Sequence, residues 1–172
     1  MHTAARSVPH SRQSHPWIGL AAWLALTFAA AAVGSMASIN AGDFYRQLSR
    51  PDWAPPAAWF GPVWTALYLM MGVAAWLVWR AHRWSGARVA LTVYVVQLVL
   101  NALWSWLFFE WHKGQLALLE VLVLWAAIAL NLFLFARAQR LAGLLLVPYL
   151  AWVTFAAALT YTLWRMNPVL LA

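Results

Sequence analysis

A chain of 172 residues in which 65% of side chains are hydrophobic and 9% are charged is excluded from the soluble class, whose domains carry about 25% charged residues. Its net charge of +7, from 11 Lys and Arg against 4 Asp and Glu, is scattered between apolar runs without a basic stripe. That pattern excludes a nucleic-acid partner and fits basic loops beside a membrane, while the absence of Cys removes disulfides, iron–sulfur clusters and thiolate metal sites.

Residues 1–16 hold Arg6, Arg12 and three His but no acid, and read as a short disordered basic tail. Residues 17–38 form the first apolar span. Ser35-Met36-Ala37 resembles a signal cleavage site, yet the run is long for a signal h-region, so it is read as a retained helix. Ala30, Gly34 and Ser38 recur every four residues and offer a small-residue face for close helix packing. Residues 39–61 are the long connection, with Pro51, Pro55 and Pro56 favouring extended or turn geometry. The second span covers 62–80 and opens on Pro62, a good first-turn residue. A basic loop leads to spans at 89–111, 115–136 and 141–164, joined by short turns that imply antiparallel neighbours. Residues 168–172 are a short C-terminal tail. The expected fold is all-α, a five-helix integral membrane bundle, because each run can cover the roughly 20 residues that cross a bilayer.

Basic residues set the orientation. The tail and the second and fourth loops hold Arg6, Arg12, Arg80, Arg83, Arg88, Arg137 and Arg140. The other side holds Arg46, Arg50, Lys113 and Arg165, so the N-terminus is expected in the cytoplasm.

The 14 Trp exceed what interfacial anchoring needs. On the third span Tyr94, Gln97, Asn101, Trp104 and Phe108 form one stripe, with two amides well inside the apolar run. Such amides face the bundle interior, either as interhelical hydrogen-bond glue or as cavity lining. The second span carries Trp64, Tyr68 and Met71 on one face, and the fifth carries Tyr149, Trp152, Ala156 and Leu163. Glu120 lies less than two turns inside the fourth span, where helix pairing or interfacial exposure outweighs catalysis. No span contains His, so a haem finds no His ligand at depth, and no metal-ligand spacing occurs. A tetrapyrrole in such a cavity is held by stacking and apolar contact.

FYRQLSRPDWAPPAAW at 44–59, GPVWTALY at 61–68, QLVLNALWSWLFF at 97–109 and VPYLAWVTFAAALTYTLWRMN at 147–167 together resemble the TspO/MBR family of Trp-rich sensory and translocator proteins, also called peripheral benzodiazepine receptors. The motifs occur in the family's order and spacing, and the first helix follows by position. The resemblance implies a five-helix bundle whose cavity opens toward the long first loop and takes porphyrins such as protoporphyrin IX, sterols or other lipids, and benzodiazepine-site ligands. By motif, Trp64 and Trp152 face the ligand, Trp53, Pro55 and Pro56 form a lid, and Tyr68, Gln97, Asn101, Trp104, Phe155 and Ala156 match further pocket positions. The cholesterol-recognition pattern falls on Leu159, Tyr161 and Arg165. Animal members carry a double Pro where this chain has Ser105-Trp106, and an Asn where it has Thr160. These departures mark a bacterial-type member, with a porphyrin favoured over a sterol.

The leading functional expectation is a membrane receptor or carrier for tetrapyrroles with a sensory or stress-regulatory role, needing no obligatory cofactor. A light-dependent porphyrin-degrading enzyme using Trp64 and Trp152 is the alternative, and a small-molecule transporter is the third reading. Ala- and Gly-rich helix surface, together with the resemblance, implies a homodimer in contact with membrane lipids. The bacterial inner membrane is the expected location, with the outer membrane as the alternative.

Overall fold

The structure, a computed structural model, describes residues 16–172. The expected tail therefore falls, apart from Pro16, outside the described residues. Eight helical segments follow one another: α1 (Pro16–Met36), α2 (Ala41–Gln47), a 3-10 turn (Ala57–Trp59), α3 (Phe60–Gly86), α4 (Arg88–Ser105), a π-helical segment (Trp106–Glu110), α5 (Gly114–Ala138) and α6 (Arg140–Met166). Five of these stretches are long and apolar enough to cross a membrane. Their outer faces remain apolar, with Val99, Leu119, Val123, Phe133 and Leu144 all exposed. In water that surface would be unstable; in lipid it needs no cover.

The five long helices close a ring. α1 packs on α3 and α4, α4 on α5, α5 on α6, and α6 returns to α3. Close approach is set by small residues. A Cβ on Gly72 would stand 2.7 Å from a Leu24 methyl, which would have to move aside, and one on Gly143 would meet Ala136 Cα at 2.7 Å, so Gly143 excludes a side chain. The expected small-residue face of α1 is used in the same way within the chain: Gly34 sits against Ala102 and Ser105 of α4, and Ser38 Oγ donates to the Gly34 carbonyl at 3.2 Å.

Four local features differ from the sequence reading. The long connection contains α2, whose Asp43 and Arg46 complement the helix dipole at its two ends and pair with each other. The second span runs on to Gly86, broken at Arg83, where φ is 57° and ψ −178°. The third span ends in a wider turn, in which the Trp111 amide bonds the Trp106 carbonyl at 2.8 Å. The last residues also fold back, burying Leu171 against Gly114.

Candidate functional site

A cavity of about 600 Å³ opens at the α2 end of the bundle, within the roughly 300–1,000 Å³ usual for small-molecule pockets. The second halves of α1 and α4, the first half of α3 and the second half of α6 wall it, with α2 across its mouth. Its lining is aromatic and small, from Trp64, Tyr68, Trp104, Phe108 and Trp152 to Ala31, Gly34 and Ala156, and none of the lining residues is charged. Such a wall recognises shape and π-surface rather than charge.

Beneath the cavity lies a chain of hydrogen bonds. Tyr68 Oη donates to Asn101 Oδ1 at 2.5 Å, Asn101 Nδ2 donates to Tyr149 Oη at 3.0 Å, and Tyr149 Oη donates to Gln97 Oε1 at 2.9 Å. Gln97 Nε2 lies 4.0 Å from Met71 Sδ. All of these residues are buried. In a bundle surrounded by hydrocarbon each polar group must find its partner inside the protein, and here the partners come from α3, α4 and α6. The two amides are therefore interhelical glue, not cavity wall. What they position is the wall, because Trp64 stacks on the Tyr68 ring at 5.5 Å and meets Tyr149 edge-on at 6.2 Å.

A second chain of contacts, ring on ring, joins the cavity to the connection above it. Trp53 meets Phe155 at 5.8 Å, Phe155 meets Trp152 at 5.4 Å, Trp152 meets Phe60 at 6.0 Å and Phe60 meets Tyr45 at 5.5 Å. Tyr45 Oη then donates to the Pro55 carbonyl at 3.0 Å, while the Arg50 guanidinium lies over its ring at 4.9 Å. Burial pushes the Tyr45 phenol above its ordinary range, against the opposing charge and hydrogen bond of Arg50. At the C-terminal end of α6, Asn167 binds both backbone polar groups of Ser49, accepting from its N–H through Oδ1 at 2.8 Å and donating to its carbonyl through Nδ2 at 2.9 Å. The segment 48–56 is thus tied to α2 and to α6.

Of the residues singled out from the sequence, Trp64, Tyr68, Trp104, Trp152, Ala156 and Leu159 line the cavity. Trp53 and Phe155 reach it through ring contacts, Pro55 through Tyr45, and Pro56 stands exposed ahead of the 3-10 turn. Leu159 faces inward, whereas Tyr161 and Arg165 are exposed, since two residues along a helix is more than half a turn. That pattern is split between inside and outside. Glu120 is neither paired nor at an exposed interface: it is buried, and neither carboxylate oxygen has a hydrogen-bond partner among the described residues. Its face of the helix turns into the bundle rather than toward the helix end. The Trp104 indole N–H is likewise unpartnered.

Phe28, Tyr45 and Phe60 also line the cavity without having been expected. Phe28 had no signal, because α1 carries no motif. Tyr45 and Phe60 flank the proline-rich motif closely enough to have been included. The residues that depart from animal relatives have visible work here. Ser105 and Thr160 line the cavity, and Trp106 Nε1 donates to the Val33 carbonyl at 3.1 Å, holding α1 to the α4 end.

The family model described as the TspO/MBR family matches residues 19–165. A tryptophan-rich protein TspO of Chlorobaculum tepidum is 40% identical, over 73% of this chain and 80% of that one. The tryptophan-rich sensory protein of Cereibacter sphaeroides is 34% identical over 88% and 92% of the two chains. The human translocator protein is 38% identical over 72% and 75%.

Proposed function

The chain belongs to the TspO/MBR family, and from that membership we propose that this multi-pass membrane protein is a receptor or carrier whose cavity takes a porphyrin-type tetrapyrrole. The observation that carries the reading is a cavity of about 600 Å³ walled by Trp64, Trp104, Trp152, Tyr68 and Phe108 with no charged lining residue. A flat macrocycle gains from stacking against such rings and from leaving water, and its polar edge can point toward the mouth beneath α2. The names sensory protein and translocator protein given to relatives support a regulatory role here. The location in this proposal is the bacterial inner membrane with the N-terminus in the cytoplasm, following the Arg excess on that side. A homodimer belongs to the proposal too, but on a surface other than the Ala30–Gly34–Ser38 face, since Gly34 packs on α4.

The test is titration of the purified chain with protoporphyrin IX in the dark, followed by illumination. Saturable quenching of Trp fluorescence with the pigment recovered intact supports the receptor. Pigment loss in light alone moves the assignment to photochemical degradation at Trp64 and Trp152, and the absence of saturable quenching removes the porphyrin.

A further inference from the structure

The end of the bundle away from the cavity carries the α3–α4 and α5–α6 connections. His82 Nε2 and the Ala138 carbonyl oxygen lie 2.9 Å apart, which draws the last turn of α3 against the last turn of α5. Around that tie stand Arg80, Arg83, Arg88, Arg137 and Arg140, all exposed. The acids of the chain lie elsewhere: Asp43, Asp52 and Glu110 at the cavity end, and Glu120 in the half of α5 nearer to it. At the cavity end Arg46 pairs with Asp43 and Arg50 lies over the Tyr45 ring. The five arginines have no such acid.

Three of them rest on an aromatic ring one turn back along their own helix. Arg80 lies over Trp76 at 5.2 Å, Arg83 over Trp79 at 4.5 Å and Arg137 over Phe133 at 5.5 Å. A ring face one turn deeper draws the cation back toward the bilayer surface instead of letting it extend into water. Arg83 goes further. Its backbone occupies a region that only glycine adopts readily, and the helix breaks where its guanidinium meets Trp79. We propose that this end is a docking surface for the headgroups of anionic phospholipids, with Arg80, Arg83, Arg88, Arg137 and Arg140 binding their phosphates. The planar guanidinium takes two phosphate oxygens at once, and five around one tie recognise a negatively charged leaflet. This surface is independent of what the cavity holds.

The experiment is native mass spectrometry of the delipidated full chain in detergent, titrated with phosphatidylglycerol or with phosphatidylcholine of the same acyl chains. Wild type retains phosphatidylglycerol in preference. Each arginine near an anionic surface contributes about fivefold, so Arg83→Gln/Arg137→Gln/Arg140→Gln loses on the order of a hundredfold of that preference by the same rule. Arg46→Gln/Arg165→Gln, at the opposite end, keeps it. Arg88→Gln/Arg140→Gln, which disturbs no ring contact, supplies an independent loss if the triple variant fails to keep its helix content. Equal retention of the two lipids, loss of preference in the cavity-end variant, or displacement of phosphatidylglycerol by millimolar inorganic phosphate each overturns the proposal.

Discussion

Asn167 holds both backbone polar groups of Ser49, accepting from its amide at 2.8 Å and donating to its carbonyl at 2.9 Å across 118 positions of sequence. The same Nδ2 also donates to the Leu163 carbonyl at 2.9 Å, so the amide is fixed to α6 before it reaches the segment over the cavity. Each such bond is worth about 1 kcal/mol net. We expect Asn167→Ala to release residues 48–56 and to speed ligand dissociation on the order of tenfold, because 1.4 kcal/mol is a factor of ten. Asn167→Asp keeps the acceptor, loses the donor and falls between. The chain has no Cys, so one spin label on an Asp52→Cys background reads the segment's mobility directly. Unchanged spectra and off-rates in both variants would show that the latch does not govern the lid.

Trp64→Ala and Trp152→Ala should each weaken protoporphyrin IX about tenfold or more, since stacking on one aromatic ring contributes roughly 1–3 kcal/mol. Replacement by Phe keeps a ring and costs less. Trp17, 71% exposed at the start of α1, is the control, and Trp17→Ala should bind like wild type. Fluorescence titration with helix content checked by circular dichroism decides the matter: wild-type affinity in both cavity variants would place the site elsewhere.

Tyr68→Phe separates positioning from contact. The ring that stacks under Trp64 survives, but Asn101 Oδ1 loses its donor. A buried group left without its partner costs about 1–3 kcal/mol, so thermal stability in detergent falls while porphyrin affinity changes less than threefold, well under 1.4 kcal/mol. Asn101→Leu leaves the Tyr68 hydroxyl without its acceptor and removes the donor to Tyr149, which keeps only Gln97, and should be the more damaging. A Tyr68→Phe protein with unchanged melting and sharply weaker binding would assign the hydroxyl to the ligand.

Tyr45 gives the site a pH limit on the alkaline side. Its phenol is raised in the folded protein, so its contribution is fully present below the ordinary value of about 10 and is lost as pH rises through the raised folded value. The segment anchored at Pro55 should hold from neutral pH to about 9 and loosen above about 10. In Tyr45→Phe the anchor is already missing at neutral pH and that alkaline step disappears. The spin label at position 52 reports both.

Tyr161 and Arg165 stand outside the cavity, so Tyr161→Ala should leave porphyrin affinity within twofold of wild type. Leu159→Ala, at a lining position, should change it. Equal losses from the two substitutions would mean that the ligand reaches the outer face of α6.

The spans were legible because a bilayer demands length and apolarity and little else, which composition alone displays. Their ends were not: a reading that stops at Arg80 sees the first charge, whereas the helix continues to Gly86 with its arginines lying back over rings. α2 was hidden because three prolines nearby mask a seven-residue helix whose Asp43 and Arg46 are its main local signal. Periodicity put Gln97, Asn101 and Trp104 on one face, but a face has no depth coordinate. The first two sit in the layer below the cavity and the third in its wall. Phe28 was out of reach, since an Ala-rich helix gives no sign of which turn will meet a ligand.

α5 lines no part of the cavity, yet it bridges α4 and α6, two of the walls. It behaves as a hoop stave, fixing the span between those walls from behind. Where Gly143 presses on Ala136, one added methyl would be felt as a change in wall spacing some turns away. Ligand preference can then drift, or be engineered, through a helix that never meets the ligand.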